Sequence, residues 1–416
     1  MSSHALLRVG EDLDLYYTDP RNCDKQSIPV EVNTRFTQAF SNLGQGVSVY
    51  TIPPGNGIRH VLIVVGYSAA ALAGNTGGAA LPRGWGYQAI RQVSFRVGGS
   101  SQYFLSGEQL LARNLRLCRT QSQRDSMLQL GGAECKATAD FAVDQFAFIP
   151  VSVFATPSAD GISLPLAGDL LSQQIQITAE IAPTSDYWIT NPNGVGTVAV
   201  IPSAFTTGYF QVEQLVMEDR GMSLANRVDL NTHSYNMPLP DFDQQEVIVP
   251  LSAAAAAAGG SPVVLSGFRA GEVKKIQVWL TKDSDTLNPG RWYKPTAVQA
   301  LYAGTIYANY ANGAAAMWNL LDGTSRSAAE QSALAAAAAP GPMTSTPVLS
   351  EWTELPFAQP TGNDYDGEIL VHGKQITNGI VNLQVQTPSA DAYTLHVVYV
   401  YNCTLSFSKG SADLIF

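Results

Sequence analysis

The residues able to do acid–base, nucleophilic or metal chemistry are few and scattered. The five histidines, His4, His60, His233, His372 and His396, form no His-x-His or His-x-x-x-His pair. Zinc or a metal-activated water needs such convergence, so no metal centre is predicted, and His60 and His396 are read as structural because both fall in strand patterns. Cys23, Cys118, Cys135 and Cys403 lie far apart, with no Cys-x-x-Cys pair, and are read as reduced, mostly buried thiols. Asp283 and Asp285 in Lys282-Asp-Ser-Asp-Thr-Leu-Asn288 begin like a Ca²⁺ loop. The glycine and terminal glutamate that such a loop needs are missing, which leaves a solvated turn. Glu218-Asp219-Arg220 reads as a surface or inter-unit charge cluster. Arg113, Arg116, Arg119 and Arg124 have no Gly-rich phosphate cradle beside them and read as a solvated helix face. No Gly-x-Ser-x-Gly elbow, Walker loop or zincin motif is present. We therefore assign no catalytic, cofactor-binding or metal-binding residue, and the expectation is a structural protein rather than an enzyme. The alternative with chemistry in it is a carbohydrate-binding protein or glycosidase. It requires paired carboxylates in a cleft, or an exposed aromatic row such as Trp279, Trp292, Tyr293 and Trp318.

The elements that would carry these residues are strands. Charged residues make up only 14% of the 416 residues, while 36 glycines and 23 prolines interrupt the chain often; many short strands joined by turns give that balance. The length exceeds one ordinary core and suits two domains of about 200 residues each. A formal net charge of -10 without a basic arm argues against sequence-specific nucleic-acid binding, since phosphate contacts need clustered Lys and Arg. The first residues show no signal-peptide pattern. The longest apolar window, Val61 to Gly74, is shorter than the roughly 18 residues of a membrane span and reads as a buried strand running into a loop.

In order, residues 1–45 form a polar arm or tail, with a short helix around Leu6 to Leu13. Strands are expected at Val47–Ile52, Ile58–Tyr67, Tyr87–Val97, Gln145–Phe154, within Leu164–Ile181, and at Tyr209–Glu218 with Phe210, Val212, Leu215 and Met217 turned inward. Ala69 to Pro82 is a loop. Ser106 caps a helix with Glu108 in its first turn and an apolar face of Leu110, Leu111, Leu115 and Cys118. The second half repeats the order. Glu246–Leu251 begins it, Ala253–Ala258 is a loop or short helix, and Val273–Leu280 and Ala297–Tyr307 stand about 210 to 215 residues after the Ile58 and Tyr87 strands. Ala314–Leu321 is a helix placed like the first. Ser325 to Ala339 is a strong helix former stopped by Pro340-Gly-Pro342, either an outward tower or a plain surface helix. In the final strands Val381, Leu383 and Val385 alternate with Asn382, Gln384 and Gln386, and Leu395, Val397, Tyr399 and Tyr401 keep the same two-residue period. Leu414-Ile-Phe416 closes the chain in a strand.

Several of these stretches resemble the double jelly-roll major capsid proteins of icosahedral double-stranded DNA viruses, the tectivirus, adenovirus and large-DNA-virus lineage. Tyr401-Asn402, Leu405, Gly410 and Leu414-Ile-Phe416 follow the order of that family's last strands. Gly98-Gly-Ser-Ser-Gln-Tyr-Phe-Leu-Ser-Gly-Glu-Gln-Leu-Leu111 is similar to its turn, polar-aromatic run and Gly-Glu helix. The aromatic Gln145–Phe154 strand, followed by Leu164-Pro-Leu166 and an alternating strand, is the most specific match. His372-Gly-Lys-Gln375 stands where members from large eukaryotic viruses carry Pro-Ser-Gly.

The resemblance implies an all-β fold of two tandem eight-stranded jelly rolls with short helices in loops: an arm over 1–45, a first jelly roll over 46–220 and a second over 221–416. It implies a major capsid protein, made inside the host cell and resident in the virion shell. Such a protein trimerises into pseudo-hexagonal capsomers that tile an icosahedral shell, meets neighbouring capsomers, penton and minor capsid proteins, and often covers an internal membrane. A minor, vertex or spike protein of the same kind of virus is the nearer alternative.

Overall fold

The protein is described by a computed structural model. The structure describes residues 27–28, 34–35, 47–52, 57–67, 83–97, 103–118, 121–133, 143–151, 164–165, 175–182, 210–220, 235–238, 243–257, 259–266, 269–282, 292–310, 353–356, 359–360, 371–372, 374–376, 381–401, 404–408 and 411–415. The predicted helices at Leu6–Leu13, Ala314–Leu321 and Ser325–Ala339, the loop at 69–82 and the Asp283–Asp285 turn lie outside the described residues.

The first half contains β1 (Ser27–Ile28), β2 (Thr34–Arg35), β3 (Val47–Ile52), β4 (Gly57–Tyr67), β5 (Ile90–Val97), β6 (Tyr103–Ser106), β7 (Gln145–Pro150), β8 (Leu164–Pro165), β9 (Ile175–Ile181) and β10 (Phe210–Arg220). Among the described residues three helices sit with them, α1 (Trp85–Ala89), α2 (Gly107–Leu117) and α3 (Gln121–Leu130). One sheet runs β1-β10-β4-β7, with β2 on β10 and β8 on β4, and the other runs β3-β9-β5-β6.

The second half contains β11 (Tyr235–Pro238), β12 (Asp243–Leu251), β13 (Ser261–Leu265), β14 (Gly271–Lys282), β15 (Trp292–Tyr293), β16 (Ala297–Tyr302), β17 (Thr305–Tyr310) and β18 (Thr353–Pro356). It continues through β19 (Gln359–Pro360), β20 (Val371–His372), β21 (Lys374–Ile376), β22 (Val381–Gln386), β23 (Tyr393–Tyr401), β24 (Thr404–Ser408) and β25 (Ser411–Ile415). Its main sheets run β12-β23-β14-β15, with β18 and β21 on β14, and β13-β22-β16-β17; β11-β24-β25 and β19-β20 are smaller. Every described strand pair is antiparallel and joins strands of the same half.

The two main sheets of the second half close on one core. Val263 and Leu265 of β13, Val298 and Ala300 of β16, and Val381, Leu383 and Val385 of β22 meet Val273, Ile276, Val278 and Leu280 of β14 and Leu395, Val397, Tyr399 and Tyr401 of β23. The alternation read from the sequence places the residues of β22 and β23 there, because a two-residue period turns every second side chain to one face.

Three expectations need correction. Tyr87 to Ala89 are helical rather than part of a strand: α1 precedes β5 and is entered at Gly84, whose φ of 78° suits glycine. Gly84 N–H donates to Gly132 O at 2.8 Å and Gly86 N–H to Gly131 O at 2.9 Å, so contacts some 45 residues away fix this turn. Ala297–Tyr307 is a hairpin rather than one strand. The chain reverses at Ala303-Gly304, both at positive φ, with Tyr302 opposite Thr305, the backbone of a two-residue hairpin turn. Within the expected Gln145–Phe154 strand, β7 ends at Pro150, and Ser152 to Phe154 lie outside the described residues.

Candidate functional site: the junction between the two halves

Helix α2 begins where the sequence placed it. Ser106 Oγ accepts from Gln109 N–H at 3.2 Å, and Gln109 Oε1 accepts from Ser106 N–H at 2.9 Å, a reciprocal capping box. Leu110, Leu111, Leu115 and Cys118 are buried as predicted, and burial raises the Cys118 thiol. Asn114 is fully buried and donates to Tyr87 Oη at 2.9 Å and to Pro150 O at 2.8 Å, tying the helix to α1 and β7. Burial also holds the Tyr87 phenol neutral, pushing its pKa well above the ordinary value despite the Asn114 hydrogen bond.

The same first turn reaches the second half. Gln109 Nε2 donates to Glu246 Oε2 of β12 at 3.4 Å. The Trp279 and Trp292 indoles approach the Glu108 carboxyl, which lies within electrostatic reach of His396 of β23 and of Glu246. Both indole Nε1 atoms are buried.

Strand register explains why these residues share one face. Trp279 on β14 stands directly opposite His396, and Trp292 stands opposite Thr281. Glu246 lies two positions from Ile248, the residue opposite His396. Cross-strand and diagonal neighbours of this kind touch. His396 Nδ1 is 2.9 Å from Glu246 Oε1, and its Nε2 is 3.1 Å from Thr281 Oγ1. Its ring stacks on Trp279 with centroids 4.9 Å apart and planes at 9°. This is the sheet face turned away from the second core, yet Lys275, Gln277, Trp279, Val398 and Val400 on it are buried. A strand buried on both faces lies between layers rather than at the surface.

Burial of the Glu108 carboxyl raises its pKa. The His396 charge acts in the opposite direction, Glu246 adds to the rise, and the two indole N–H groups lower it. The ordering follows from the cost of ionising a carboxyl away from water.

The residues singled out in the sequence are distributed as follows. Trp279 and Trp292 are buried and Tyr293 is half-buried against Tyr393, so they offer no sugar-stacking row; Trp318 is outside the described residues. His396 joins the junction, and Glu246 and Thr281, which the sequence reading did not single out, complete it. A polar residue set in the otherwise apolar Leu395-His-Val-Val398 was the available signal that a partner existed. His60 and His372 lie in β4 and β20, and Glu218, Asp219 and Arg220 in β10. Arg124 is buried rather than solvated, and Arg113 is half-buried. Among the described residues no group of three His, Cys, Asp or Glu is arranged to hold a metal ion. No described helix is long and apolar enough to cross a membrane.

Apolar side chains also stand in the open. Phe146 and Phe148 on β7 alternate with buried Ala147 and Ile149, and with Val143 they remain about half exposed.

No protein-family model matches the chain, and no curated protein matches it in sequence. Solved structures do match in fold. The PBCV-1 virus capsid, a quasi-atomic model, superposes with a TM-score of 0.62 at 11% identity, over 94% of this chain and 96% of that one. The Faustovirus major capsid protein gives 0.53 at 9% identity, over 90% and 89%. The crystal structure of the mavirus major capsid protein gives 0.51 at 11% identity, over 92% and 89%. At these identities the likeness is one of fold, and it runs nearly end to end: the chain has the all-β architecture of the double jelly-roll coat proteins.

Proposed function

We propose that this chain is the major coat subunit of an icosahedral double-stranded DNA virus, located in the virion shell. The observation that carries this reading is the near end-to-end likeness of fold to viral coat proteins. In this reading residues 46–220 and 221–416 are the two jelly rolls and 1–45 an arm. Three copies associate so that six jelly rolls give a pseudo-hexagonal outline, and these units tile beside neighbouring capsomers, penton and minor proteins, with an internal membrane beneath where the virus has one.

The mechanism is assembly, with no reaction step. A permanent contact between copies buries on the order of 2,000 Å² or more and is rich in apolar and aromatic groups. The exposed Phe146 and Phe148 are side chains of that kind. The net charge of -10 supports a shell that does not grip its genome directly.

Electron microscopy of the purified full chain tests the proposal. The expected images are six-sided plates made of three copies. A uniform population of single copies at micromolar concentration overturns it.

A further inference from the structure

The outer faces of the two long sheets are equivalent by strand order but not by burial. In β1-β10-β4-β7 and in β12-β23-β14-β15, a late strand and then a long central one follow an early edge strand. In the second half Lys275, Gln277 and Trp279 of β14, Val398 and Val400 of β23 and Trp292 of β15 are buried on the outer face. The first half of the same chain is seated there: Gln109 Nε2 donates to Glu246 Oε2 at 3.4 Å, and β6 runs close to β12.

In the first half the corresponding face is open at β7. Ala147 and Ile149 are fully buried, whereas Phe146 and Phe148 are 48% and 42% exposed. The two rings stand beside β4, opposite Gly66 and Val64, as Trp292 stands beside β14, opposite Thr281. The companion sheets behave differently. Val264 of β13 and Ile306 of β17 are exposed in the second half, and Val49 of β3 and Phe104 of β6 are exposed in the first. For that pair of faces the two halves agree; only the long sheets differ, with apolar rings covered in one half and open in the other.

We propose that the outer face of β10-β4-β7, with Phe146 and Phe148, receives the second half of another copy, seated as the first half is seated on β23-β14-β15 within one chain. The face so assigned rests on the association of copies proposed above. The occupant follows from the repeat. What covers such a face within the chain is a unit of the same strand order. The first half already uses its α2 side on its own partner half, which leaves the corresponding side of the second half to meet a further copy. A contact of this heterologous kind joins copies head to tail and either closes into a ring or runs on as a filament; the three-copy unit is the closed case. Aromatic side chains are enriched at the centre of such contacts. The companion-sheet faces, open in both halves, stay open at this contact.

Hydroxyl-radical labelling of the full chain in its three-copy form, read by mass spectrometry, tests the face. Phe104 is 46% exposed in one copy, so the three rings are matched in a lone chain. In the assembly Phe146 and Phe148 are expected to label several-fold more slowly than Phe104. Phe148→Glu sets a charge in a desolvated contact and is expected to leave folded single copies in sedimentation velocity, whereas Ile306→Glu keeps three. Equal labelling of the three rings, or three-copy assembly by Phe148→Glu, overturns the assignment of this face and leaves the coat reading standing. A parent chain that stays single at micromolar concentration overturns both. Should Phe148→Glu fail to fold, the labelling of the parent decides.

Discussion

The first and second halves of the molecule are built on one strand order. In each, a late strand is inserted between an early edge strand and a long central one, giving β1-β10-β4-β7 and β12-β23-β14-β15. In each, the companion sheet pairs a first strand with a late one and then with a hairpin, giving β3-β9-β5-β6 and β13-β22-β16-β17. Both central pairs even carry a register shift, between Val212 and Gln214 in β10 and between Val273 and Lys275 in β14. The halves differ in what fills the space around this frame. The first half places α1 before its hairpin and α2 and α3 between that hairpin and β7, held by Asn114, Tyr87 and the glycines near 131. The second half presents an aromatic and ionic sheet face to the first turn of α2. Strand order thus follows from tandem repetition, whereas the outer faces have diverged so that one half docks on the other.

The severest way to break this comparison is at the start of α2. A Cβ on Gly107 would collide with the backbone carbonyls of Tyr87 and Ile90, leaving no flexible group to move. Gly107→Ala should cost about 5 kcal/mol or more and leave little folded protein by circular dichroism. A normal melt would mean that α2 is not seated on α1 as described.

Trp279→Ala asks whether the outer face of β14 is truly interior. A cost of about 3–5 kcal/mol in denaturant melts, the range for a core tryptophan, is expected. A surface position away from special features would lose only about 0.5 kcal/mol, and that result would detach the second half from the first.

Asn114→Ala removes a contact peculiar to the first half. It leaves the Tyr87 hydroxyl and Pro150 carbonyl without their buried donor, and about 1–3 kcal/mol should be lost. Ala303→Gly sharpens the hairpin of the second half with the smallest effect. Ala303 sits at φ 49°, so the substitution should stabilise by up to about 1 kcal/mol, read as a rise in melting temperature.

The strands were legible because a two-residue apolar period survives single substitutions. Val381 to Gln386 reads as alternating in the sequence and alternates in burial. The α2 cap was legible for the same local reason, since Ser106 and Gln109 are three residues apart. What stayed hidden was set over long separations. Tyr87 looks like the start of a strand until Gly131 and Gly132 are known to receive the α1 turn. Ala303-Gly304 was a local turn signal passed over within a β-rich run. Glu246 and His396 are 150 residues apart, and only the antiparallel register of β12 on β23 places them on one face. The burial of Trp279 was not legible, because one period cannot reveal that both faces of β14 are covered.

Sedimentation equilibrium of the full chain tests the central claim, that paired jelly rolls serve here as shell subunits, most directly. The account predicts a species of three times the 44.4 kDa chain mass that persists on dilution through the micromolar range. A single species at the mass of one chain over that range contradicts it.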